Sequence, residues 1–127
     1  MILGLLLACG DKENSSTTEG YTDGGSYYVA YETTPSPIPF NEEFSVTVSV
    51  FDTEEKTNQL TDIIVDVDAT MPAHGHGMNL DPILTGPTDG IFLAEGLLWH
   101  MEGEWELGIY ISGETNENIA FTVSCCQ

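Results

Sequence analysis

The chain holds three histidines, His74, His76 and His100, and, beyond the initiating residue, three methionines, Met71, Met78 and Met101. All six fall in two short stretches, "MPAHGHGM" (Met71 to Met78) and "HM" (His100 and Met101). Both side-chain types are metal donors. Thioether sulfur is soft and selects Cu(I), while imidazole suits Cu(I), Cu(II) and Zn(II) alike. Structural zinc sites are built from Cys and His rather than Met. Calcium and magnesium take oxygen ligands. The donor set therefore points to copper, preferred as Cu(I), with any Cu(II) state bound mainly through imidazole.

The spacing suits that chemistry. His74 and His76 flank Gly75, and in an extended segment residues two apart project to the same side. Gly75 and Gly77 let the backbone turn where side chains would crowd a metal. Pro72 lowers the ordering entropy that binding costs. His74, His76, Met78 and His100 are the first candidate ligands. Met71 and Met101 come second, because Met also fills irregular gaps in a core. A lone His-Gly-His is weak evidence; flanking Met residues and the downstream His-Met pair strengthen it. The competing reading is a non-metal structural or protein-interaction domain whose His/Met turn is only packing.

The elements that must carry these residues have strand periodicity. "EFSVTVSVFD" alternates, with Phe44, Val46, Val48 and Val50 on one face and Ser45, Thr47 and Ser49 on the other. In "DIIVDVDAT", Ile63, Val65, Val67 and Ala69 share a face, and in "EWELGIYIS" Trp105, Leu107, Ile109 and Ile111 do. "SYYVAYE", "GIFLAEGLLWHM" and "NIAFTVSCC" supply further strands, and Pro35, Pro37 and Pro39 exclude helix between the first two. No window of ten or more residues has helical periodicity. The expectation is an all-β, immunoglobulin-like antiparallel β-sandwich of about seven strands. The Cys-Trp-Cys arrangement of antibody domains is absent, so that likeness is architectural.

With 127 residues there is room for one domain with a modest core. Acidic residues number 21 and basic residues 2, a formal charge of −19. Nucleic acid is not an expected partner, because phosphate binding needs a basic footprint. The charge solvates the surface and draws cations towards it.

The N-terminus, "MILGLLLACG", is an apolar run ending in Leu6-Leu7-Ala8-Cys9. It resembles a bacterial lipobox, in which residues 1–8 are a removable signal peptide and Cys9 becomes the lipidated first residue. The run is shorter than the roughly 20 residues needed to span a bilayer. It also lacks a basic leading region, which leaves room for a start codon upstream. Acyl chains on Cys9 would anchor the protein to a membrane, facing the periplasm or the exterior, at about 0.8 kcal/mol per buried methylene. Residues 9–25, polar and rich in Gly, Ser and Thr, then read as a flexible tether, with the domain spanning 26–127.

The remaining cysteines, Cys125 and Cys126, are adjacent, and export would place them in an oxidising compartment. A disulfide between them, a bond to a partner and thiolate ligation of a soft metal all remain open. No enzyme is expected: there is no nucleophile elbow, phosphate loop or zinc-protease motif, and the adjacent pair is not a Cys-x-x-Cys redox motif.

The stretch "DATMPAHGHGMNLDPILTGPTDGIFLAEGLLWHMEGEWELGIYI", Asp68 to Ile111, resembles the YtkA-like domain family, related to the FixH-like proteins. The residues that carry the resemblance are Met71-Pro72, the His74 to Met78 turn, Gly90 opening the next strand, and Gly103-x-Trp105-x-Leu107. It covers about a third of the chain closely, and Tyr28 to Val67 more loosely. The resemblance implies an immunoglobulin-like sandwich on the outer side of the cytoplasmic membrane. For the FixH-like relatives it implies a link to copper supply for oxidase assembly. The chain departs from that pattern in its lipobox anchor and in Cys125-Cys126. The function expected is a lipid-anchored envelope protein that buffers Cu(I) or exchanges it with a copper-accepting or copper-donating partner.

Overall fold

A computed structural model describes residues 17–126. The signal segment 1–8 and Cys9 lie outside them. Nine strands follow one another: β1 (Glu19–Tyr21), β2 (Tyr28–Thr34), β3 (Glu43–Phe51), β4 (Ile64–Met71), β5 (His76–Gly77), β6 (Ile83–Thr88), β7 (Ile91–Leu98), β8 (Gly103–Ser112) and β9 (Asn116–Cys125). They form a five-stranded sheet of order β1-β2-β3-β7-β6 and a four-stranded sheet of order β5-β4-β8-β9. Every neighbouring pair is antiparallel. Among the described residues there is no helix, and so none long and apolar enough to cross a membrane.

The alternation read from the sequence decides which faces meet. Phe44, Val46, Val48 and Val50 of β3 are buried, as are Val65, Val67, Ala69 and Met71 of β4 and Trp105, Leu107, Ile109 and Ile111 of β8. A strand with one apolar face must cover it, and two such sheets cover each other. The sandwich expected from the sequence is therefore present, with more strands than the seven anticipated. The strands outside the stretches read as strands in the sequence are β1, β5 and β6, which lie at sheet edges. β6 carries Gly86-Pro87, residues that an edge tolerates and a central strand does not.

The folded region begins ahead of Ser26, inside the segment expected to be a tether. Glu19–Tyr21 pairs with Ala30–Tyr28, and Thr22 is buried. An edge strand is held by backbone groups, so its polar composition does not exclude it. The carboxylate of Glu117, near the start of β9, fastens this edge. Its oxygens accept from the hydroxyls of Thr22 and Ser26, each at 2.6 Å, from that of Thr115 at 2.7 Å, and from the Ser26 amide at 3.0 Å. The hydroxyls of Ser26, Thr22 and Thr115, in that order, hold the Glu117 carboxyl down to about 2, from an ordinary 4.5.

Because the folded value lies below the unfolded one, Glu117's contribution to stability is fully present above pH 4.5 and is lost as the pH falls towards 2. Glu117→Gln is expected to lower the melting temperature at pH 7, with the gap to wild type narrowing at pH 3. Thermal melts at the two pH values check this, and a gap of equal size at both would contradict it.

Candidate metal centre

One end of the sandwich gathers the residues singled out in the sequence. There β4 ends at Met71, β7 ends at Leu98, β8 begins at Gly103 and β9 ends at Cys125. The Glu117 latch lies at the other end of β9.

The turn between β4 and β5 is closed by backbone bonds. The amides of His74 and Gly75 both donate to the Met71 carbonyl, at 3.0 and 2.9 Å. Gly75 takes a φ of 69°, a left-handed conformation that glycine adopts without steric cost. The chain then returns as β5, with His76 opposite Met71 and Gly77 opposite Thr70. On the facing connection, the Asn41 amide donates to the Trp99 carbonyl at 2.9 Å, and Trp105 Nε1 donates to the Met101 carbonyl at 3.0 Å. These two bonds fix the backbone on either side of His100.

The three imidazoles come together. Ring centroids of His74 and His76 are 5.9 Å apart, and those of His76 and His100 are 5.6 Å apart. A metal about 2 Å from one nitrogen of each ring sits about 3.2 Å from each centroid, so rings sharing it have centroids about 5 Å apart at a tetrahedral angle and about 6.4 Å apart when opposed. Both separations fall in that range, and His76 is the ring common to both. His74 and His76 are exposed, and His100 is half-buried. His100 Nδ1 is itself buried and has no hydrogen-bond partner in the protein. A buried nitrogen left without a partner costs about 1–3 kcal/mol; a metal bond would satisfy it. His76 Nδ1 makes only a long contact, 3.4 Å, to the Gly77 carbonyl. Among the described residues, no group of three or more His, Cys, Asp or Glu side chains is placed to hold a metal ion as it stands. The rings are arranged in a row about His76, and a fuller coordination shell would draw on thioethers.

The methionines divide by burial. Met71 is a core residue, 1% exposed. Met78 and Met101 are half-buried and pack against the core edge. The His100 end of the row abuts an aromatic floor whose supporting role the sequence does not show. Trp99 and Trp105 are fully buried and stack with centroids 4.9 Å apart and planes 2° from parallel. Phe44 stands edge-on to Trp99 at 5.3 Å, and His100 edge-on to Trp105 at 5.9 Å. The one sequence signal for this floor is that Trp99 adjoins His100 and Trp105 follows Gly103 in the same short stretch. Exposed Glu102 and Glu104 flank the site and add to a potential that attracts cations. A depression of about 280 Å³ on the five-stranded sheet, lined by Glu19, Tyr31, Thr47 and Lys56 among others, contains no His, Met or Cys. It has no part in this site.

No family model matches the chain, and no curated protein matches it. Solved structures do. One is a copper-bound variant of FetP from uropathogenic Escherichia coli, which superimposes with a TM-score of 0.54 at 7% sequence identity, over 85% of this chain and 93% of that one. At that identity the likeness is one of fold.

Proposed function

We propose that the protein binds copper as Cu(I) at the His74, His76 and His100 row, with Met78 and then Met71 and Met101 as thioether donors, and that it buffers the ion or passes it to a partner. The observation that carries this reading is the meeting of all three histidines of the chain at one end of the sandwich, with a buried ring nitrogen of His100 left unpartnered. The copper bound by FetP, a protein of like fold, and the resemblance to YtkA-like and FixH-like sequences support it. Copper here is cargo. Soft donors in a partly exposed row permit transfer by stepwise ligand exchange, with no bond-making chemistry. The protein would act in the cell envelope, held to a membrane by lipid on Cys9, its acidic surface steering a basic partner towards the site.

A Cu(I) competition titration against a chromophoric chelator tests the reading. Wild type is expected to hold the ion against the chelator, and the His74→Ala, His76→Ala double variant to lose it. Equal affinity in the two proteins would leave the sandwich as a structural or interaction domain.

A further inference from the structure

Cys125 and Cys126 have no part in the histidine row, yet they lie at the same end of the sandwich, with Cys125 closing β9 at the opposite edge of the four-stranded sheet from His76. In the four-stranded sheet, Cys125 is the cross-strand partner of Gly103. Such partners share a face of the sheet, here the inner one, because Cys125 is buried. Gly103 contributes no side chain, and the end of Met71 fills the notch: a Cβ added at Gly103 would lie 2.9 Å from Met71 Cε. Met71 in turn is the register partner of His76. Along the end of this sheet, strand by strand, stand an exposed imidazole on β5, the end of the Met71 thioether at the Gly103 notch and a buried cysteine sulfur on β9. Gly103 and Cys125 are one strand spacing apart, about 4.8 Å. Cys126 is half-buried and packs against the same core edge. The structure joins the two cysteines in a disulfide, and in that form neither sulfur is a thiolate donor.

We infer that the Cys125–Cys126 pair is a redox-controlled arm of the copper site: as a dithiol it supplies thiolate ligands for Cu(I) beside Met71, and as a disulfide it withdraws them. This rests on the copper reading above. The conversion is a thiol–disulfide exchange. A dithiol reductant gives two electrons and two protons to the pair, breaking its S–S bond and leaving two thiols, while the reductant becomes a disulfide. Each thiol that then ligates Cu(I) releases its proton, and the copper stays Cu(I) throughout. Thiolate is the softest donor among protein side chains, so the reduced form holds Cu(I) more tightly and oxidation of the pair loosens it.

The test uses the full chain, with Cu(I) and a chromophoric competitor under anaerobic conditions. Affinity is measured with the pair reduced and with it oxidised, and alkylation of the reduced protein by iodoacetamide is followed by mass spectrometry with and without Cu(I). The reduced form is expected to bind about tenfold or more tightly than the oxidised form. Cys125→Ser, Cys126→Ser is expected to match the oxidised form under both conditions, which also controls for Cys9. Cu(I) is expected to protect both thiols from alkylation. Histidine-dependent binding that ignores the redox state would overturn this inference and leave the copper reading standing. Loss of Cu(I) binding in every form would overturn both. Redox-dependent binding that persists undiminished in His74→Ala, His76→Ala would make the thiols a separate site and overturn their assignment as an arm of this one.

Discussion

His76→Ala is expected to lower Cu(I) affinity by about 100-fold or more, and His74→Ala by about tenfold, a difference of about 1.4 kcal/mol between the two variants. The asymmetry comes from the geometry. His76 lies within metal-sharing distance of both other rings, 5.9 Å from His74 and 5.6 Å from His100. Removing it leaves the outer two without a common neighbour, whereas removing His74 leaves the His76–His100 pair intact. His76 is also fixed by its pairing with Met71 across β4 and β5, while His74 sits on the exposed turn and has more freedom to relax. Substituting a group that only supports a ligand typically costs 10–100-fold in metal affinity, so the central ligand itself should reach or exceed that upper figure. Competition titrations of the two single variants check the order. Equal losses, or a larger loss for His74→Ala, would mean that the metal does not sit at His76.

Trp105→Ala is expected to destabilise the fold by about 3–5 kcal/mol, the usual cost of truncating a fully buried aromatic residue. The ring is completely buried, stacks on Trp99, borders His100 and ties the Met101 carbonyl through Nε1. Its loss opens a cavity beside His100 and frees the backbone that holds it. Trp105→Phe keeps much of the stacking and loses the hydrogen bond, which is worth about 1 kcal/mol together with a smaller cavity. Urea unfolding of the three proteins gives the ranking. A loss below about 1 kcal/mol for the alanine variant would place Trp105 outside the packed centre. If Trp105→Phe folds well yet binds Cu(I) more weakly than wild type, the Met101 carbonyl bond positions His100 for the metal as well as stabilising the fold.

Much of the sandwich is legible in the sequence. Alternation in β3, β4 and β8 identifies the inward residues, because successive side chains along a pleated strand point to opposite faces. The edges were less legible. β1 lies in a polar segment and β5 is two residues of a turn, so neither leaves a hydrophobic pattern to read; β6 carries Gly and Pro, which signal a turn. Their pairing depends on backbone groups and on distant partners such as Glu117, which reaches Thr22 across 95 positions of sequence. The donor inventory was fully legible, since it is composition. The aromatic floor was half legible: Trp105 was assigned to an inward face, but its stacking on Trp99 requires β7 and β8 to be brought together from different sheets.

By itself the sequence determined the all-β class, the inward faces and a set of soft donors confined to two stretches. Only the tertiary structure decided that those stretches meet. Strand order places the β4–β5 turn and the β7–β8 connection at the same end of two packed sheets, and strand order follows from non-local pairing that no local spacing encodes. The same holds for the cysteines. Gly103 and Cys125 stand 22 positions apart in sequence, yet the β8–β9 register sets them side by side, with Met71 in the gap that the glycine leaves.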